Sequence, residues 1–199
     1  MKAFDDLIET ARTLNGPDGC PWDHTQNFES LKRYVIEEAH EVIEAVDEGD
    51  MTLLVEELGD LLYTVVFYAM IAEKKGAFTL EAILTGVREK LIRRHPHVFG
   101  DAISDSIDEV IARWEAVKKE EKPGRTSALD GIPKTLDLLI RAEKMVSRMR
   151  RAGFTPPRGG EGIGDQILSI VAESEGAEAE VRRALRTWEK SFREWEVLE

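Results

Sequence analysis

Apolar residues recur at three- and four-residue intervals along almost the whole chain, and no convincing stretch alternates apolar with polar residues over the length of a strand. That period selects helices, so the expected fold class is all-α. The spacing predicts helices over residues 2–14, 29–48, 51–75, 79–94, 106–121, 134–152, 163–176 and 178–197. Breaks fall where backbone chemistry demands them. The stretch "NGPDGCPWD" (15–23) is crowded with turn formers, and Gly49 and Asp50 supply a helix C-cap followed at once by an N-cap. Pro96 ends the fourth helix after "KLIRRH".

Composition narrows the function. With 199 residues the chain is long enough to bury a substantial core, and its net charge is −12. An acidic surface argues against a nucleic-acid partner held along its phosphates; phosphates, if handled at all, would come with cations. The single cysteine, Cys20, rules out an internal disulfide framework and fits a reducing compartment. The N-terminus is amphipathic without a signal-type apolar core, and no apolar run reaches the roughly 18 residues of a membrane span. A cytoplasmic protein with no membrane partner is expected.

The segment "KPGRTSALDGIP" (122–133) reads as a linker between residues 1–121 and 134–199. Across it runs an internal echo: "LGDLLYTVV" (58–66) matches "IGDQILSIV" (163–171) in Gly, Asp and apolar positions. Upstream, "GCPWD" (19–23) has a fainter counterpart in "GFTPP" (153–157). Only "RGGEG" stands between the landmarks of the later copy, where the earlier one has a long acidic helix.

That acidic helix carries the chemistry. Of the 24 residues from Glu37 to Asp60, ten are acidic, yet Val, Ile and Leu recur among them. On a helical projection Glu38 shares the angular position of Leu31, Tyr34, Val35, Val42 and Ala45, and Glu41 sits about 60° away at the stripe's edge. Glu57 is flanked by Leu53, Leu54, Leu61, Thr64 and Tyr68, with Asp60 at the matching edge. Glu37, Glu44, Glu48 and Glu56 turn to solvent. Folding the pair about Gly49-Asp50 as an antiparallel αα-hairpin brings Glu38, Glu41, Glu57 and Asp60 level and face to face. Four carboxylates at a core edge cannot all stay ionised unaided, and a hard divalent cation, Mg²⁺ or in its place Mn²⁺, resolves the conflict. Di-iron chemistry on the Glu37-x-x-His40 spacing lacks its second such pair, and His40 points away from Glu38.

"EEAHE" followed by "EELGD", with "GCPWDHTQ", "SLKRYVIEEAHEVIEAV" and "KLIRRHPHVFGD" in order around them, resembles the MazG nucleoside triphosphate pyrophosphohydrolases. The likeness is close over residues 1–121 and loose beyond. It implies a MazG-like helical bundle that cleaves nucleoside triphosphates between the α and β phosphates, uses Mg²⁺, and assembles as a homodimer or higher oligomer. Carried over by motif, Glu38, Glu41, Glu57 and Asp60 are the metal ligands, and Lys90, Arg93 and Arg94 the basic cluster that contacts phosphates. Residues 134–199 then resemble a degenerate, partial second copy: Asp165 is kept, Gly162 stands in the place of Glu57's counterpart, and packing or oligomerisation is the expected role. The family's Gln-Thr-His after the Pro-Trp-Asp loop is here Gln26-Asn27-Phe28.

Glu37 or Glu38 is expected to orient the attacking water. Trp22 and Tyr34 are candidates for substrate binding, Trp22 by stacking on the base or equally as a plug at the end of the bundle. Lys90, Arg93 and Arg94 also suit a basic helix C-terminus that complements the helix dipole. His95-Pro96-His97 reads as a helix-terminating loop, and Trp114, Trp188 and Trp195 as core or interface packing. The expected activity is house-cleaning of (deoxy)nucleoside triphosphate pools, its rival a non-catalytic helical interaction module.

Overall fold

A computed structural model of the protein describes residues 1–102, 106–156, 159–174 and 176–196. These form helices and no strand among the described residues. In chain order they are α1 (Lys2–Leu14), α2 (Pro21–Thr25), α3 (Lys32–Glu48), α4 (Met51–Lys74), α5 (Leu80–Arg94), α6 (Pro96–Phe99), α7 (Ile107–Glu120), α8 (Leu138–Arg151), α9 (Ile163–Glu173) and α10 (Ala177–Glu196). The chain divides into two compact units, Met1–Trp114 and Glu115–Glu199.

Several helix ends differ from the periodic reading, and side-chain caps explain them. Asn27 Oδ1 accepts from the amides of Glu29 and Ser30, closing a turn that delays α3 to Lys32. Asp137 Oδ1 accepts from Leu139 N, so α8 starts at Leu138 although the apolar period begins earlier. The apolar period does not predict helices α2 and α6. Each is about one turn long and starts on a proline, too short to display a period. The expected end of the last helix, residue 197, lies outside the described residues.

In the N-terminal unit, Ile8 and Ala11 of α1 meet Val66, Ala69 and Met70 of α4 and Leu80 of α5. A second cluster joins Leu31, Phe67 and Ile71, walled by Phe28, Tyr34, Tyr63 and Tyr68. Helices α3 and α4 form the hairpin. Gly49 takes the left-handed conformation at φ 71°, where a side chain would be strained, and Asp50 accepts from the amides of Thr52 and Leu53 to start α4. One reversal therefore fixes which residues of the two helices face each other.

In the C-terminal unit Ala142, Val171 and Ala177 pack together, with Leu139 against them. The 122–133 segment packs with this unit, because Arg148 of α8 donates to the carbonyls of Ala128 and Asp130, both at 2.9 Å. At matching places of the internal echo a common helical side-chain bond recurs. Thr64 Oγ1 donates to the Asp60 carbonyl at 3.0 Å, and Ser169 Oγ donates to that of Asp165 at 2.8 Å. Val66 and Val171, at matching places in the two segments, are both buried. Trp188 stands 72% exposed on α10, so core packing is wrong for it. Trp114 is partly covered by the Arg94 guanidinium, 5.8 Å from its ring centroid. The side chain of Trp195 lies outside the described residues.

Candidate metal centre

Glu38 and Glu41 stand on α3 and Glu57 on α4, and the hairpin brings an oxygen from each to within 4.8 Å of the other two. All three residues are half-buried. Asp60 is exposed and its carboxylate lies outside this trio, although its charge acts on both Glu38 and Glu57. The hairpin therefore brings three of the four expected ligands together directly and leaves the fourth at the edge. Asp60 lies three residues on from Glu57, about 60° round the helix, and its side chain is a methylene shorter than a glutamate's.

The Glu38 carboxyl is pushed above its usual range first by burial, then by the charges of Glu41, Asp60, Glu57 and Glu37. That of Glu57 is pushed up by burial, by Glu41, Glu56 and Asp60, and by a hydrogen bond with the Glu41 side chain. Two carboxyl groups can share such a bond only when one holds a proton. Partly desolvated oxygens of like charge gathered within 4.8 Å fit a hard divalent cation, which would take the place of that proton and offset the repulsion. Glu37 is exposed and adjacent, and Glu44, Glu48 and Glu56 are exposed.

Tyr34 lies four residues before Glu38, one turn along the same face of α3. Its ring meets Trp22 edge to face at 5.8 Å, and Arg33 lies over it at 4.5 Å. Trp22 also touches Phe67, with 6.2 Å between centroids, yet keeps 48% of its surface exposed. It thus plugs the aromatic cluster with one edge and offers another to solvent. Lys90 and Arg93 are exposed near the end of α5, and Arg94 beside them is half-buried. His95 Nδ1 lies 2.7 Å from the Leu91 carbonyl, a helix-terminating bond.

Sequence reasoning missed Asp23. It is only 6% exposed, its Oδ2 has no partner among the described residues, and burial pushes its carboxyl up. No period marks a lone acid in a turn, and α2, which turns it inward, is too short to leave a pattern.

Comparison with known proteins agrees with this geometry. Residues 26–99 match the MazG nucleotide pyrophosphohydrolase domain. The chain is 37% identical over 223 residues to the nucleoside triphosphate pyrophosphohydrolase/pyrophosphatase MazG of Thermotoga maritima, covering 98% of this chain and 86% of that protein. It is 43% identical over 157 residues to the nucleoside triphosphate pyrophosphohydrolase of Escherichia coli, covering 77% of this chain and 60% of that one. It is 46% identical over 143 residues to the uncharacterized protein YabN of Bacillus subtilis, covering 71% of this chain and 29% of that one. The chain thus spans less than two thirds of the latter two relatives. Among solved structures, a mazG-related protein from Thermotoga maritima superposes with a TM-score of 0.50 at 33% identity, covering 58% of this chain and 98% of that one.

Proposed function

The chain belongs to the MazG family of nucleotide pyrophosphohydrolases, and on that premise we propose that it hydrolyses (deoxy)nucleoside triphosphates to a monophosphate and pyrophosphate. The observation that carries this reading is the half-buried trio Glu38, Glu41 and Glu57, whose oxygens gather within 4.8 Å. Glu38, Glu41, Glu57 and, from its exposed edge, Asp60 hold Mg²⁺, for which Mn²⁺ substitutes. When bound, the cation neutralises phosphate charge and makes water a better nucleophile near neutral pH.

The protein's own groups do the rest. Glu37 or Glu38 accepts a proton from the water as its oxygen bonds to the α phosphorus. The bond from that phosphorus to the oxygen bridging the α and β phosphates breaks, and pyrophosphate leaves with the electron pair. Lys90, Arg93 and Arg94, spaced i, i+3, i+4 on α5, hold the departing phosphates. Trp22 and Tyr34 receive the base, since Tyr34 lies one turn from Glu38 on α3 and the Trp22 ring that meets it stays 48% exposed. The role is house-cleaning of nucleotide pools in the cytoplasm, and residues 134–199 are a degenerate partial second copy used for packing or assembly.

The test is product analysis. Purified protein is incubated with Mg²⁺ and a panel of ribo- and deoxyribonucleoside triphosphates, and the products are resolved by anion exchange. Monophosphate with pyrophosphate is expected. Diphosphate with orthophosphate would move the point of attack, and no turnover with either Mg²⁺ or Mn²⁺ would favour a helical interaction module.

Assembly follows from the face of α4 that remains open. Met51, Val55, Leu58, Leu62 and Val65 repeat at alternating four- and three-residue steps, and each is at least 40% exposed. Leu84, Val87 and Leu91 continue the exposed apolar surface on α5. A stripe with that repeat suits a second helical layer supplied by another copy. Light scattering is expected to give a dimer or a higher oligomer, and L58E together with L62E is expected to yield monomers. A monomeric parent protein would overturn this assignment.

A further inference from the structure

The C-terminal unit contains a cavity of about 430 Å³ walled by Lys118, Arg125, Arg148 and Arg151, with Glu115 and Asp130 as its acidic residues. Four cations against two carboxylates leave an excess of positive charge in a chain whose net charge is −12. Both carboxylates are already engaged. Asp130 accepts from the amides of Thr126 and Ser127, each at 2.9 Å, and those bonds hold its carboxyl below the usual range. Glu115 is shared between Lys118 at 3.0 Å and Arg151 at 3.3 Å.

The arginines are seated rather than loose. Arg148 spends one guanidinium nitrogen on the Ala128 and Asp130 carbonyls, which locks the loop to α8. Arg151 is steadied on its own helix by Ser147, with Nη2 2.8 Å from the hydroxyl. Arg125 lies against Gly131, which sits at φ 76° and whose missing Cβ would fall 2.0 Å from the guanidinium. Only glycine both adopts that conformation readily and leaves the guanidinium its place. Arg125 makes no ion pair within 4.0 Å among the described residues, although its charge acts on Asp130.

Held guanidinium groups around a pocket of this volume match the oxygens of phosphate, which arginine binds through paired N–H donors. We propose that this pocket is a second ligand site, separate from the carboxylate centre, that binds a phosphate or diphosphate group, free or carried by a nucleotide. Exposed ion pairs contribute little, so an anion with two or more charges displaces Glu115 from Arg151 readily.

The probe is pyrophosphate, titrated calorimetrically into the full chain in EDTA. Without divalent cations the acidic hairpin repels the anion, so binding there does not contribute. One site per chain is expected, with the same affinity in E38Q, so this result stands whether or not the protein is a hydrolase. R125Q and R151Q are each expected to weaken binding about tenfold, the loss of one charged hydrogen bond. Nucleoside diphosphate run in parallel identifies the source: tighter binding than pyrophosphate means a nucleotide, equal binding the diphosphate group alone. In a measurement that needs no substitution, pyrophosphate should slow phenylglyoxal modification of Arg125, Arg148 and Arg151 but not of Arg183. No heat with either probe, unchanged affinity in both arginine variants, unprotected arginines, or binding that vanishes in K90Q and survives in R125Q would each overturn the site.

Discussion

Replacing Glu38 with glutamine is expected to cut nucleoside triphosphate turnover by roughly 10²- to 10³-fold, the usual loss when one group that stabilises transition-state charge is removed, while making the metal-free protein melt at a higher temperature. The two effects share a cause. Glu38 is pressed by burial and by the charges of Glu41, Asp60, Glu57 and Glu37. A neutral amide of the same size fills the same space without that repulsion, so the folded state gains. The lost charge also removes an oxygen anion from the cation's site, so the rise in melting temperature produced by Mg²⁺ should shrink. E44Q is the control: it makes the same chemical change at an exposed position of α3 and should alter neither quantity. Turnover that survives in E38Q would remove the carboxylate centre from the mechanism. A metal-free variant melting below the parent would mean that the trio is not strained.

The hairpin was legible because two local signals agree on it. The 3.6-residue period puts Glu38 and Glu57 on inward faces, and the Gly49-Asp50 pair marks where the chain reverses. Counting outward from that turn places the carboxylates opposite one another without any tertiary knowledge. The same count places Asp60 at the edge of the cluster. A projection treats each side chain as a direction and ignores its reach, and the aspartate, 60° off the glutamate's line and one methylene shorter, stays outside the trio. Features one turn long or less left no period to read. Helix α2 and the buried Asp23 it carries belong to this class. So does the Asn27 turn, where a single side-chain oxygen set the start of α3. The cavity among Lys118, Arg125, Arg148 and Arg151 was hidden differently, since its cations come from α7, a loop and α8 and meet only after folding.

In the absence of divalent cations, the parent protein is expected to lose stability relative to the E38Q/E57Q double variant as pH rises from the ordinary carboxyl range, about 4, through the higher range in which these two groups titrate. Glu38 and Glu57 both titrate above their usual range in the fold, chiefly through burial and then through neighbouring carboxylates. The folded chain therefore holds these protons more tightly than the unfolded chain. Their contribution favours the native state below the unfolded value and is lost as pH rises through the raised folded one. Asp130 behaves in the opposite sense: amides of Ser127 and Thr126 lower its value, so its contribution is present above the unfolded value and is lost as pH falls. Because the double variant keeps Asp130, subtracting its denaturation midpoint from the parent's at each pH isolates the hairpin. The difference should be small at the acid end and grow with pH in favour of the variant. Saturating Mg²⁺ at the upper end should reverse its sign, since the cation binds only the parent's ionised cluster. A midpoint difference that does not change with pH would show that the fold does not raise the Glu38 and Glu57 carboxyls in solution, and the argument for a cation among them would fall with it.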